Sequence, residues 1–168
     1  LDSSNGVLEA SGTVAIGKSA LAALTTGAGN VAIGYEAMKD IITGSSNTAV
    51  GYQSGHHLVA GGATPNNNSY FGYQSGFYMD DGYNNVGVGY RALYSNASEA
   101  NAGASNVAVG YDALLALTDG NNNVAIGSSA GATLTDNDGN VAIGTGALGA
   151  ADTGESYNVA IGHGAGLS

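Results

Sequence analysis

Five tyrosines at regular intervals are the residues whose type and spacing most suggest chemistry. They are Tyr35, Tyr52, Tyr73, Tyr90 and Tyr111, one in each of five successive units of a repeat. In a stack of parallel coils they would form a column, and an exposed aromatic column suits the binding of sugar rings. The alternative is that the rings fill a groove between coils or between chains, since tyrosine buries a large area and keeps a polar tip.

Two long stretches lie beside this tyrosine series, at His56 to Asn68 and at Tyr94 to Asn106, and each makes its unit four residues longer. Insertions in repeat proteins form loops on one face, often the binding face, although a neutral surface loop is an equal alternative. We predict that residues 52–101 carry any ligand-binding patch. The candidate residues are tyrosines of this region and its flanks: Tyr35, Tyr52, Tyr70, Tyr73, Tyr78, Tyr90 and Tyr111.

Metal binding and catalysis have weaker support. His56 and His57 are the best candidate metal pair, but adjacent side chains on a strand face opposite ways, so both could ligate one ion only in a loop. Residues 136–139 (Asp-Asn-Asp-Gly) resemble the start of a calcium loop without its downstream Glu, which favours a turn. Glu36 and Asp112 have equivalent positions, but three units separate them. We expect no enzyme activity, no metal site and no cofactor.

The tyrosines belong to a repeat in which other positions also recur from unit to unit. Nine units begin at Val14, Val31, Thr48, Ser69, Val86, Val107, Val124, Val141 and Val159. Position four is Gly in all nine: Gly17, Gly34, Gly51, Gly72, Gly89, Gly110, Gly127, Gly144 and Gly162. Asn precedes eight of the nine: Asn30, Asn47, Asn68, Asn85, Asn106, Asn123, Asn140 and Asn158. Such a Gly indicates an unusual backbone angle or a close backbone approach.

Each unit is therefore interpreted as a short strand (VAIG), a Gly bend, a second apolar segment and a polar turn. Units this short bury an apolar face only by stacking, about 4.8 Å apart, which predicts an all-β parallel β-roll or β-solenoid. The Asn side chains should then hydrogen-bond along the stack. For the second segment we favour a strand over one or two helical turns. Residues 1–13 are expected to be a cap or incomplete coil, and residues 14–168 the solenoid.

Position two of the strand is Ala or Gly in eight of nine units, with Tyr70 the exception. Val and Ile on the other side are also apolar, and apolar strands on both sides indicate burial of both faces. We expect the Ala stripe to pack against copies of itself around an axis. A small hydrophobic surface stripe is the alternative.

Composition limits the partners. With three Lys and Arg against 13 Asp and Glu, the 168-residue chain carries a formal charge of −10. Nucleic-acid binding needs a basic surface, so it is not expected, nor is attraction to an anionic membrane. No apolar run is long enough to span a membrane. The sequence contains no Cys, which excludes disulfides and thiolate metal sites.

The VAIG units resemble the head repeats of trimeric autotransporter adhesins, and the longer forms GNVAIGYEAM and NTAVGYQSG are similar to repeats of phage tail fibres. The repeat period of this chain is longer than that of the usual adhesin head coil. The resemblance implies a trimeric extracellular rod, on a virion or a bacterial surface, that displays a patch for a receptor or glycan. The alternatives are a subunit of an extracellular filament and a monomeric carbohydrate-binding solenoid.

Overall fold

A computed structural model of the chain describes residues 11–58, 64–95, 101–150 and 156–166. These residues form a β-solenoid with one three-residue strand per unit and no helix, and hence no helix that could cross a membrane. The strands are β1 (Val14–Ile16), β2 (Val31–Ile33), β3 (Thr48–Val50), β4 (Ser69–Phe71), β5 (Val86–Val88), β6 (Val107–Val109), β7 (Val124–Ile126), β8 (Val141–Ile143) and β9 (Val159–Ile161). The predicted solenoid is confirmed.

The nine strands form one parallel sheet in chain order, β1 to β9. Equivalent positions pair directly, as in Val31 with Thr48 and Ala32 with Ala49. The longer units keep this register, because Thr48 still pairs with Ser69. Extra residues therefore leave the sheet undisturbed. Parts of both insertions, residues 59–63 and 96–100, lie outside the described residues, as do residues 1–10 of the expected cap.

The Gly at position four has both properties that the sequence indicated. Gly34 has a φ of +139°, and a Cβ placed on it would lie 2.2 Å from the carbonyl oxygen of Gly51 in the next coil. Side chains rarely adopt this backbone angle, and no side chain fits this gap. The chain can therefore bend out of each strand only with Gly at this position.

The predicted asparagine ladder is present. Asn47 donates from Nδ2 to Oδ1 of Asn30 (3.2 Å) and to the carbonyl oxygen of Pro65 (2.8 Å), and its backbone N–H donates to the same Oδ1 (3.0 Å). Asn68 repeats this pattern on Asn47. Both side chains are fully buried. A buried amide is stable only when its polar atoms are paired, and the next coil provides the partners.

Among the described residues, the second half of each unit is neither the strand that we favoured nor a helix. It is a run of turns in which residues with positive φ alternate with others, as in Glu36 (φ 53°) and Met38 (φ 47°). Its N–H groups still reach neighbouring coils: Met38 donates to Ser54 (2.9 Å) and Asp40 donates to His56 (3.0 Å). The alternation turns the chain back toward the sheet while these hydrogen bonds satisfy its polar groups.

The prediction that the Ala stripe faces other copies of the chain was wrong, because these side chains point into the interior of the coil. Ala32, Ala49 and Ala108 are fully buried in the core of their own chain, against the Leu and Met residues of the second half-units. The interior of the coil is narrow, so position two takes a small residue wherever position eight is large, as in Ala32 with Met38. The small side chains thus reflect packing inside one chain and not contact between chains.

Candidate functional site

The five tyrosines form one stacked column on the outside of the solenoid. Successive ring centroids are 5.0 to 5.2 Å apart, and successive planes differ by 9° or less. Each tyrosine follows the position-four Gly, so the strict register of the sheet sets the column. The side chains are between 38% and 53% exposed. The spacing predicted the column, and its exposure in the single chain places it on the surface and not in a groove between coils.

The stacking changes what this column can bind. Tyr52, Tyr73 and Tyr90 each have a neighbouring ring on both faces. Tyr35 has Tyr52 on one face and the Lys18 ammonium 5.9 Å from its ring centroid. A sugar that stacks on an aromatic ring needs an open face, and these rings present edges and hydroxyl groups instead. The expected mode of sugar stacking therefore does not fit the inner rings.

A polar column runs beside the tyrosines at the next position of the repeat. Gln53 donates from Nε2 to Oε2 of Glu36 (2.8 Å), and Gln74 donates to Oε1 of Gln53 (2.9 Å). The hydrogen bond from Gln53 is the main reason that the pKa of Glu36 is lowered to about 2.

Farther along this column, Arg91 makes two hydrogen bonds to Asp112, of 2.9 and 2.7 Å. The two carboxylates considered for catalysis thus have separate partners within the column. They do not form an acid–base pair.

Of the remaining candidates, Tyr70 is fully buried and Tyr78 is half-buried. Tyr70 replaces the usual Ala of position two, and its ring fits because Gly55 and Gly76 take the place of larger residues at position eight. A Cβ on Gly76 would lie 2.5 Å from the Tyr70 ring, and one on Gly55 would lie 3.3 Å from it. Tyr70 is thus a core residue and is unavailable to a ligand.

Tyr78 belongs to a second aromatic cluster, on the turn segment of units three to five. The His56 ring stacks on Phe77 (4.9 Å) and Phe77 stacks on Tyr94 (5.3 Å), while His57 stacks on Tyr78 (4.9 Å). Both histidines lie in a turn and not on a strand, so their rings are on the same side, 4.5 Å apart. The loop that the sequence required for this pair is present.

Sequence reasoning missed the residue next to this histidine pair. Oδ2 of Asp40 lies 3.0 Å from Nδ1 of His57 and 3.4 Å from Nδ1 of His56. Asp40 and His57 both occupy position ten, in successive units, so the repeat alignment alone places them on neighbouring rungs. The signal for this contact is therefore the spacing of the repeat and not the adjacency of residues in the chain.

Residues 136–139 form a turn, as favoured from the sequence. Oδ1 of Asp138 accepts from the backbone N–H of Asn121 (2.7 Å), and Oδ1 of Asn137 accepts from the backbone N–H of Thr135 (3.0 Å). The first contact joins two successive coils and the second is local to one coil, so Asp138 and Asn137 have structural roles.

The outer face of the sheet is an apolar stripe formed by positions one and three. Ile16 (58% exposed), Phe71 (40%) and Ile126 (41%) lie on it. Across the nine strands these positions hold only Val, Ile, Phe, Thr or Ser. The tyrosine column follows directly after the Gly bend, so apolar stripe and aromatic column adjoin along the stack.

Comparisons with protein-family models, with characterised proteins and with solved structures give no match for this chain.

Proposed function

We propose that the chain is a structural segment of an extracellular fibre, in which three copies pack side by side through the apolar stripe and form a rod for attachment. The observation that carries this proposal is the stripe itself. It spans nine strands, or roughly 38 Å at about 4.8 Å per strand. Continuous apolar surfaces of this kind mark sites of protein association.

A second copy of the chain fits this stripe better than an unrelated partner does. The stripe repeats with the spacing of the strands, and a copy offers the same spacing over the same length. The chain is strongly acidic, with a formal charge of −10, yet positions one and three of the nine strands hold no charged residue. Charge repulsion between copies is therefore lowest where the stripes meet.

The solution mass tests this proposal. A trimer has three times the chain mass of 16.4 kDa. Light scattering should give this threefold mass, and Val88→Lys with Ile126→Lys should lower it to that of one chain, since both changes place charge on the stripe. The control is Ile42→Lys, because Ile42 is 43% exposed but lies outside the stripe. A monomeric wild type would refute association through the stripe. Long filaments would instead favour end-to-end assembly over a closed trimer.

Attachment through a glycan is the second part of the proposal, with residues 52–101 as the recognition patch. The row of tyrosine hydroxyl groups supports it, because hydroxyls donate and accept hydrogen bonds as sugars do. Replacing Tyr52, Tyr73 and Tyr90 with Phe removes three hydroxyls and retains the rings. Loss of glycan-array binding in this variant is the expected result. Unchanged binding would exclude the hydroxyl row, and a monomer that binds would favour a lone carbohydrate-binding solenoid.

A further inference from the structure

We infer that Asp40, His56 and His57 form a binding site for one divalent transition-metal ion such as Zn²⁺. One potential ligand atom from each residue lies within 4.8 Å of the others. Two imidazoles and one carboxylate are a ligand set that zinc and its neighbours in the first transition row accept. This site lies on the turn segment and is independent of the proposed fibre function.

The distances suit a metal ion. Zinc bonds to nitrogen and oxygen of about 2.0–2.1 Å in a tetrahedron place neighbouring ligand atoms about 3.3 Å apart. Oδ2 of Asp40 lies 3.0 Å from Nδ1 of His57 and 3.4 Å from Nδ1 of His56. The ligand atoms of the two histidines lie within 4.8 Å of each other, so the three residues can surround one ion.

The buried ring of His56 gives an independent indication. Its side chain is 7% exposed, and its Nδ1 has no hydrogen-bond partner. The other ring nitrogen, Nε2, lies 3.3 Å from Oε2 of Glu36. A carboxylate on Nε2 holds the proton there and leaves the Nδ1 lone pair toward Asp40. A cation between these two acceptor atoms would pair both of them, and carboxylate–histidine pairs of this kind orient histidine ligands in metal sites.

The residues around the site limit competing charge and hold the two histidine rings in place. Lys39 is a nearby cation, and its Nζ is 3.5 Å from Oε1 of Glu36, which offsets its charge. Phe77 and Tyr78 stack on the two histidines and fix their ring planes.

The site is also accessible. The side chains of Asp40 and His57 are 31% and 35% exposed, so an ion can enter and keep a water as its fourth ligand.

Titration of the untagged, chelator-treated chain with Zn²⁺ by calorimetry tests the inference. One ion per chain should bind, and Co²⁺ should give the visible absorption of a coordinated ion. His56→Phe should abolish binding and keep the ring stack. Phe is tolerated at this position, because Phe77 holds the same position in the next unit and stacks there. Asp40→Asn should also abolish it. His163→Ala is the control, since His163 is the only histidine outside the pair and should leave binding unchanged.

Glu36→Gln separates a positioning role from ligation, and it should weaken Zn²⁺ binding about tenfold without changing the stoichiometry. Zn²⁺ should also raise the Tm of the wild type and of His163→Ala, but not that of His56→Phe. The reason is that Zn²⁺ stabilises the folded state only where the folded chain has an intact site. Equal Zn²⁺ binding by the wild type and His56→Phe would overturn the inference. So would the absence of binding by the wild type, or its loss in His163→Ala.

Discussion

Nη2 of Arg91 lies 2.7 Å from Oδ2 of Asp112, one coil farther along the stack, and Nε donates to the other carboxylate oxygen. The Asp112 side chain is 11% exposed, so its carboxylate is largely shielded from solvent and pairs with Arg91 instead. Arg91→Lys keeps the charge and loses the two-point contact, which should lower the free energy of unfolding by about 1–2 kcal/mol. Urea unfolding of Arg91→Lys, of Asp112→Asn and of the double variant measures the coupling energy between the two side chains. Additive losses of stability would contradict this coupling.

Tyr70 and Gly76 should behave as one packing unit. Tyr70→Ala empties the space of a fully buried ring and should cost about 3–5 kcal/mol. Gly76→Leu alone should also destabilise the chain, because its side chain would meet the ring. The double variant reproduces the pairing of Ala108 with Leu114 and should recover most of the loss. Thermal unfolding of the three variants decides this, and two losses that simply add would refute it.

Removing one residue of the asparagine ladder should lower the stability of the chain substantially. Asn68→Ala removes the acceptor of the backbone N–H of Asn85 (2.9 Å) and the donor to the carbonyl oxygen of Gly82 (2.8 Å). Buried groups left unpaired should lower the free energy of unfolding by about 3 kcal/mol. The matched control is Asn67→Gly, at an exposed neighbour with a φ of +58°, which Gly adopts easily. Equal chemical denaturation midpoints for both variants would show that the ladder contributes little.

Stacking in the tyrosine column should depend on position. Tyr73 contacts two rings of the column, whereas Tyr111 contacts one. Tyr73→Thr should therefore cost about twice as much as Tyr111→Thr, in a range of about 0.5–1.5 kcal/mol for each ring pair. Thr is suitable because Thr145 occupies this position naturally. Denaturant titrations compare the two variants, and equal losses would mean that ring stacking is not the source.

Stability should fall as the pH rises through neutrality because of Asp80. Burial, with Asp81 nearby, raises the pKa of Asp80 to about 7. The folded state then holds a proton that the unfolded state releases near pH 4, so this contribution is complete below about pH 4 and is lost by pH 7 to 8. Asp80→Asn should raise Tm at pH 8 relative to the wild type, with little difference at pH 4. Equal Tm differences at the two pH values would exclude this titration.

The sequence was sufficient for features that repeat in every unit. The invariant Gly and the preceding Asn each serve the backbone of one coil against the next, so aligning nine units shows their role. Register followed as well, since equivalent residues pair directly. The direction of the Ala stripe did not follow, because alternation along a three-residue strand does not tell which face is inside. That depends on the width of the coil, which Met38 and its equivalents determine.

Features confined to one or two units were harder to predict. Tyr70 looked like a member of the aromatic surface, and only the space beside Gly55 and Gly76 shows that it belongs to the core. The second half-unit was misassigned because residues such as Glu36 and Met38 adopt positive φ, against their ordinary preference. Hydrogen bonds from neighbouring coils stabilise that conformation, and no local pattern reports them. Asp40 was missed because its partners lie one coil away.

The constant register of the sheet has a consequence for folding kinetics. Parallel sheets usually form slowly, because each strand waits for a partner that is distant in the chain. Here each strand, from β1 to β9, pairs with the strand of the very next unit, so its partner is only one short repeat away. Loop closure is therefore about equally short for every pair, and a folded coil is a template for the next one. We expect the chain to fold coil by coil along its axis, and to fold faster than is usual for a parallel sheet of nine strands.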